Sequence, residues 1–545
     1  MARLLLWSLP LAAALGALVA VGRARAEADL AAAADLLAQG RAAEARPLLE
    51  GHADSGAHGG RARAGLALAG ALEGGDGSAA LSPEDARLFR PRLLMAAALH
   101  RGDFEACARL AQLTGGAGDP SARLYEAAAR LEMGELDHAA ALLAQVDEAR
   151  SATGLGARVA GVLAARRAGA TLTLADRQGR LVGHLDDEGT FHPEAKDAAW
   201  VPEAALDGAR GRTGGVRLSA DADLSAAALA ALGPYRGSVV LVDVATGHVL
   251  AAVSDAKTRA RAGSPGFDQL REPASIQKII TAVAALRAGR DPGAEISKMV
   301  CNGYQRYRGG TLWCTFPAGP LTGGLREAMA VSCNVAFANL AIALGWPAMV
   351  AELRRWGFGG AADTPGAMGR VLKTDGTERE LASLGIGLDW TEMTPLHAAL
   401  LGAAVASGAM PRPVLVAADD GALALSPRPV AAPAPRRILE PRWVALLQKA
   451  LAGVVEEGGT AEGVAPPSFP VVMKTGTASA PGLGYHVNYV GAGPMPHPRI
   501  AFCVRVTHQP TSPRVGAAAR EVLRALLAEL GRRSVVRDGP QPDVS

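Results

Sequence analysis

The chain has 545 residues and a mass of 55.6 kDa, room for three or four domains at about 150 residues each. With 49% hydrophobic and 20% charged residues it is not a wholly disordered chain. The 56 basic and 53 acidic side chains leave a net charge of +3, and aromatics are only 4%, so neither the basic footprint nor the stacking platform of a nucleic-acid binder is present. Only seven of the basic side chains are lysines, so a lysine kept in this arginine-rich chain is informative.

At the N-terminus an uncharged apolar run, Leu4 to Val21, follows Arg3 and ends at Ala24-Arg25-Ala26, a small-x-small site of the kind signal peptidase cleaves. Residues 1–26 are therefore expected to export the chain, as a cleaved signal peptide or as a retained membrane anchor. The product would lie in the periplasm or on the outer face of the inner membrane.

Residues 27–150 are rich in Ala and helical in pattern. Gly40, Gly102 and Gly134 each open an apolar helix, with a small residue five positions later (Ala45, Cys107, Ala139) and a Leu eight positions later. The Gly separations of 62 and 32 residues fit two periods and one period of a helix-turn-helix repeat. Gly permits the turn and the small residue lets paired helices approach, a pattern that looks like degenerate tetratricopeptide repeats.

Residues 151–235 read as a connector, with two short strands around the turn in Leu172 to Leu181. From Ser238 to Ser254, β-branched runs on either side of Ala245-Thr246-Gly247 predict a hairpin. Arg499 to Thr507 alternates as a strand and Gly516 to Leu530 reads as an amphipathic helix. The Pro-rich stretch Pro427 to Pro435 reads as an excursion within one domain of residues 236–531. The polar tail, 532–545, is expected to be disordered.

The chemistry is concentrated in three places. Glu272-Pro273-Ala274-Ser275-Ile276-Gln277-Lys278 leads into a helical run, and Pro273 suits a helix start. Ser275 and Lys278, three apart, share a helix face, and the N-terminal end of the helix dipole disfavours an ammonium there. A neutral Lys beside a Ser hydroxyl is a base beside its nucleophile, a role Arg cannot take because it does not deprotonate. Ser332-Cys333-Asn334 follows 57 residues later, within a helical run predicted over Leu325 to Leu344. Lys474-Thr475-Gly476-Thr477 comes after the strand-like Phe469 to Met473; its Gly lets a substrate lie against the strand, and its Lys and hydroxyls can bind a carboxylate. Lys373-Thr374-Asp375-Gly376 resembles this motif but carries Asp where it needs Gly.

Among the five cysteines, Cys301 and Cys314 enclose a twelve-residue loop and could form a disulfide in an exported chain, or remain two reduced thiols. Zinc is the weaker reading of this pair because no His lies near them in the sequence. Cys107 and Cys503 read as core, and Cys333 as buried filler.

The three motifs, in this order, resemble the active-site set of penicillin-binding proteins and serine β-lactamases. Further segments look like penicillin-binding-protein transpeptidases: Arg217 to Asp221, the Ser238 hairpin, Ser383 to Leu388, Thr394-Pro395-Leu396, Gly459-Thr460-Ala461 and Tyr489-Val490-Gly491. Asp176 to Gly179 looks like the start of a shortened class B pedestal. The resemblance implies an α/β transpeptidase domain, an antiparallel sheet flanked by helices plus an all-α subdomain, behind an α-helical repeat-like region. It also implies that Ser275 attacks the penultimate D-Ala carbonyl of a peptidoglycan stem peptide while Lys278 takes the hydroxyl proton. Ser332 would relay that proton to the leaving amine, Asn334 would bind the substrate amide, and Lys474, Thr475 and Thr477 the carboxylate. The backbone N–H groups of Ser275 and Thr477 would form the oxyanion hole. β-Lactams would block Ser275 covalently, and no cofactor or metal is implied.

A class A β-lactamase would need a Glu with an Asn a few residues later between the second and third motifs, and no Asn occurs between Asn339 and Lys474. Two alternatives to the transpeptidase remain. One is a D,D-carboxypeptidase of the same fold; the other is a non-catalytic scaffold or β-lactam sensor whose repeats recruit a cell-wall assembly protein.

Overall fold

β-Branched runs and one acidic turn start the central sheet. Gly237–Asp243 (β1) and Val249–Ser254 (β2) pair antiparallel, with Ser238 opposite Ser254, as the hairpin pattern predicts. Asp243 closes the turn: its Oδ1 accepts from the backbone N–H groups of Ala245 at 3.0 Å and Thr246 at 2.8 Å. Val472–Ala480 (β3), Gly484–Gly493 (β4) and Ile500–Gln509 (β5) complete an antiparallel sheet in the order β3-β4-β5-β1-β2. This places β3, with its Lys-Thr-Gly-Thr sequence, at one edge.

The computed structural model describes residues 8–38, 41–56, 58–73, 87–100, 103–115, 120–146, 154–167, 172–194, 200–210, 212, 214–258, 265–314, 319–359, 369–420, 428–430, 432–480, 484–509 and 516–538. Helices cover both faces of the sheet. On one, Pro395–Ser407 is buried through almost its whole length and packs Ala403 and Ala406 against Ala492 and Ala501. It comes so close that a Cβ on Gly402 would stand 2.7 Å from the Gly491 carbonyl oxygen. On the other lie Ala222–Leu232, capped by Asp221 Oδ1 accepting the Leu224 N–H at 3.0 Å, and Ala517–Asp538. The last helix runs past 532, where a disordered tail was expected. Arg533 Nε reaches Glu529 Oε1 at 2.7 Å one turn earlier, so the polar residues extend the helix through i,i+4 pairing. Residues 539–545 lie outside the described residues.

A helical subdomain packs beside the sheet: Lys278–Arg287, Gly324–Ala330, Asn334–Arg355 with a kink at Gly345, Glu378–Gly385 and Pro441–Ala452. Its deeply buried carboxylate Glu352 is satisfied by Arg287 Nε at 2.7 Å and Trp356 Nε1 at 2.9 Å.

The connector builds a second sheet. Leu172–Ala175, Leu181–Leu185 and Phe191–Pro193 form an antiparallel meander, and Gly214–Leu218 joins Leu172–Ala175 in parallel. Val416–Asp420 and Arg428–Pro429 then extend this sheet to six strands. Part of the Pro-rich excursion is therefore a structural element of the connector sheet, a long-range pairing that local sequence pattern does not reveal.

Eight α-helices stand among the described residues between Ser8 and Arg167. Neighbours in sequence pack together: Phe104–Gly115 on Pro120–Glu132, and that helix on Leu136–Leu143. Ala45, Cys107 and Ala139, the small residues of the recurring pattern, are all completely buried. Gly134 takes φ +83°, while Gly40 and Gly102 lie outside the described residues. The first helix, Ser8–Ala38, continues unbroken through Ala24-Arg25-Ala26 and buries Ala26 and Leu30. Arg166 Nη2 donates to the Gly214 carbonyl at 3.2 Å, tying the helical region to the connector sheet.

Candidate active site

Ser275 sits in a 3-10 turn, Ala274–Gln277, that runs directly into the helix Lys278–Arg287. In a 3-10 turn residues three apart eclipse, which brings Ser275 and Lys278 to one side more tightly than an α-helix would. The turn is clamped from below. Ala274, at φ +51°, donates its N–H to the Gly387 carbonyl at 2.8 Å. Gln277 is buried, accepts the Thr391 hydroxyl at 2.7 Å and donates to the Leu384 carbonyl. Gly387 is required here because a Cβ would meet the Ala274 carbonyl oxygen at 2.2 Å.

Lys278 is fully buried and its Nζ donates to the Ser332 carbonyl at 2.6 Å, Asn334 Oδ1 at 2.7 Å and Ser332 Oγ at 3.2 Å. Ser275 is not among its hydrogen-bond partners in the described residues. Burial pushes the Lys278 amine from 10.5 down to about 8, with the thiols of Cys333, Cys314 and Cys301 pulling weakly the other way. Desolvation, rather than the helix dipole, is the principal cause of this lowering.

The second motif lies in a break rather than inside the single helix predicted over Leu325 to Leu344. Gly324–Ala330 ends, Ser332 takes φ +55°, and Asn334 begins the next helix. The left-handed residue directs both the carbonyl and hydroxyl of Ser332 to Lys278, which a helical residue with its carbonyl tied to the next turn could not do. Asn334 is engaged at both ends of its amide: Oδ1 accepts from Lys278 and Nδ2 donates to the Trp313 carbonyl at 2.8 Å.

Lys474 is also fully buried and donates to Ser332 Oγ at 2.9 Å and the Thr475 carbonyl at 3.1 Å. Desolvation, then the neighbouring Lys278, holds its amine well below the usual lysine range. Thr475 and Thr477 share the opposite strand face, half-buried and exposed respectively. Gly476 lets β3 pass against the nucleophile's turn, where a Cβ would lie 2.7 Å from the Pro273 carbonyl oxygen.

Lys278, Ser332, Asn334 and Lys474 are thus joined by hydrogen bonds, and the strand carrying Thr475, Gly476 and Thr477 passes against the turn that carries Ser275. Of the two states open to Cys301 and Cys314, disulfide or reduced thiols, the structure has the reduced one: the cysteines are free thiols. Cys314 Sγ faces Cys333 Sγ at 3.9 Å and accepts the Asn334 N–H at 3.3 Å. Cys333, read from sequence as filler, sits between two motif residues, and its contact with Cys314 lowers the Cys314 thiol while the same contact, and then burial, raise its own.

Thr460, from the Gly459-Thr460-Ala461 segment, and the hairpin before Asn334, which carries no sequence signal, complete the surroundings of the motifs. Thr460 Oγ1 lies 2.9 Å from Thr475 Oγ1 and orients it. The hairpin of Tyr304–Tyr307 and Gly310–Trp313 holds Asn334 through Trp313 and is itself tied down by Tyr307 donating to Asn339 Oδ1 at 2.8 Å. Its Trp313 and Tyr304 rings are exposed, with centroids 5.3 Å apart. The decoy Lys373 is paired with Glu380 at 2.5 Å and sits at a separate loop.

A sheet edge bearing Lys-Thr-Gly-Thr, set over a Ser-x-x-Lys turn and a Ser-x-Asn break, defines an active-serine protein of the penicillin-recognising class. Residues 237–528, more than half of the chain, match the penicillin binding protein transpeptidase domain, and the chain belongs to that family. It is 28% identical over 343 residues to the peptidoglycan D,D-transpeptidase PbpA of Mycolicibacterium smegmatis, covering 54% of this chain and 67% of that protein. It is equally 28% identical, over 337 residues, to PbpA of Mycobacterium tuberculosis, with the same shares covered. Two solved structures share the fold. One is the D,D-transpeptidase domain of a peptidoglycan glycosyltransferase from Eggerthella lenta, at TM-score 0.57 and 23% identity over 67% of this chain and 99% of that one. The other is the penicillin G acyl-enzyme complex of penicillin-binding protein A from M. tuberculosis, at TM-score 0.55 and 24% identity over 66% and 99%.

Proposed function

We propose that this chain is a peptidoglycan D,D-transpeptidase that cross-links stem peptides through an acyl-serine intermediate on Ser275 and is inhibited by covalent penicillin binding. The observation that carries the reading is Lys278: a fully buried amine, brought to about 8, beside a serine and a second lysine in the motif order of the family. At pH 7.5 such an amine is neutral in about a quarter of molecules, against about one in a thousand for an ordinary lysine.

Lys278 takes the Ser275 proton as Ser275 attacks the D-Ala–D-Ala carbonyl. Ser332, bonded to both lysines, passes a proton to the departing amine. The Ser275 and Thr477 N–H groups stabilise the tetrahedral oxyanion, a contribution of about 3 kcal/mol per donor in a comparable hydrolase. Lys474, Thr475 and Thr477 hold the substrate carboxylate. Asn334 exchanges its Trp313 contact for the substrate amide. An amine from a neighbouring strand then resolves the acyl-enzyme.

The N-terminal segment exports the chain, and the Ala-rich helices act as tetratricopeptide-like repeats that dock a cell-wall assembly partner. Buried small residues at the recurring positions support this reading of the helices. Labelling with a fluorescent penicillin tests the site: wild type should label and Ser275→Ala should not. A wild type that fails to label would remove the acyl-serine reading, and water as the sole acceptor in a donor-acceptor peptide assay would make the protein a carboxypeptidase.

A further inference from the structure

Three thiols from three separate elements meet beside the start of the Asn334 helix. Cys301 ends the short strand Val300–Cys301, Cys314 follows the hairpin strand Gly310–Trp313, and Cys333 caps the helix Asn334–Arg355. Their Sγ atoms all lie within 4.8 Å of one another, with Cys314 and Cys333 at 3.9 Å. Cys301 and Cys333 are buried and Cys314 is half-buried, which leaves one side through which an ion can reach the sulfurs. From sequence the pair Cys301 and Cys314 lacked further ligands; the fold supplies the third through Cys333.

We propose that Cys301, Cys314 and Cys333 form a three-thiolate site for a thiophilic cation, Zn2+ or Cu+. Three sulfurs at a metal–sulfur distance of about 2.3 Å stand about 3.8–4.0 Å apart in tetrahedral or trigonal geometry. The Cys314–Cys333 separation already has that value, and the other two edges need to shorten by less than an ångström. A disulfide would use two sulfurs, draw them to about 2.05 Å and strand the third. Soft thiolate ligands select Cu+ and Zn2+ over the hard cations. Binding releases the thiol protons to solvent and changes no oxidation state. The site adjoins the second motif, where Cys314 accepts the Asn334 N–H, but filling it needs neither Ser275 nor a substrate.

The test uses the full chain, reduced, stripped with a chelator and titrated with Co2+, then with Zn2+ as competitor; a parallel arm offers Cu+ against a chromogenic chelator. One Co2+ per chain with a sulfur-to-cobalt charge-transfer band, displaced by Zn2+, is expected, or one tightly held Cu+. Cys314→Ser, at the half-exposed position, should weaken binding by about 100-fold or more, as should Cys301→Ser. The double variant Cys107→Ser/Cys503→Ser, with both changes away from the cluster, should bind as wild type and controls for folding. Absence of a thiolate band and of Cu+ uptake overturns the proposal. So does binding that survives both single variants, or a disulfide among these three cysteines in protein isolated without reductant. Penicillin labelling of the same samples reports the acyl-serine site independently.

Discussion

Lys278 and Lys474 meet on a single atom: their Nζ groups lie 3.2 Å and 2.9 Å from Ser332 Oγ. Two fully buried ammonium groups so close to one hydroxyl cannot both be charged without a large desolvation cost. Desolvation, with the repulsion of Lys278 added to it, holds the Lys474 amine low.

Lys278→Arg keeps the positive charge and removes the base. Acylation by penicillin should fall by about 100- to 10,000-fold. Stopped-flow or gel-based labelling rates measure it, and retention of more than a tenth of the wild-type rate would remove Lys278 from the role of base.

The rate of acylation should climb with pH through a midpoint near 8, as Lys278 loses its proton, and level off above. Stability should move the same way. A lysine whose folded value is depressed from 10.5 to about 8 leaves the unfolded chain binding more protons between those values, so stability rises with pH across that window. Urea melts at pH 8 and pH 10 check the sign, and Lys278→Met should flatten the slope.

Thr477→Ala removes a hydroxyl assigned to the substrate carboxylate, a charged hydrogen bond worth about 1.5–3 kcal/mol. The second-order acylation constant should drop by roughly 10- to 100-fold. Cys333→Ala, between Ser332 and Asn334, should lower it less; the reverse order would place the substrate elsewhere.

Gly476→Ala should separate β3 from the nucleophile's turn, since its Cβ would meet the Pro273 carbonyl oxygen at 2.7 Å and Ile276 Cγ1 at 3.0 Å. Overpacking of this kind costs about 1–3 kcal/mol. A lowered melting temperature together with slowed acylation is expected, and unchanged acylation would show that the strand and turn are not rigidly coupled.

Much of this site was legible because its residues carry chemistry at fixed spacings. Ser275 and Lys278 are three apart, and Lys474 to Thr477 alternate on a strand. The β1–β2 hairpin and the last strand were legible from β-branched alternation. The break at Ser332 was not, because a run such as Leu325 to Leu344 keeps helical periodicity across a single left-handed residue. The Cys314–Cys333 contact was hidden for a different reason: it joins residues 19 apart through a hairpin whose docking is fixed by Tyr307 and Asn339. Strand pairing of Val416–Asp420 with Gly214–Leu218 joins elements about 200 residues apart, and no local pattern encodes such a partner.

That same pairing sets an order of events in the making of the protein. Gly214–Leu218 has an unfilled edge until Val416–Asp420 arrives, and Ser219 Oγ, which donates to the Val249 carbonyl at 2.9 Å, waits for the Val414 carbonyl that it meets at 2.6 Å. The connector sheet therefore cannot close until residues 416–420 have emerged, after Lys278 and Ser332 have already been delivered. A nascent chain halted before residue 416 would present an open strand to its neighbours, the template that β-sheet aggregation uses.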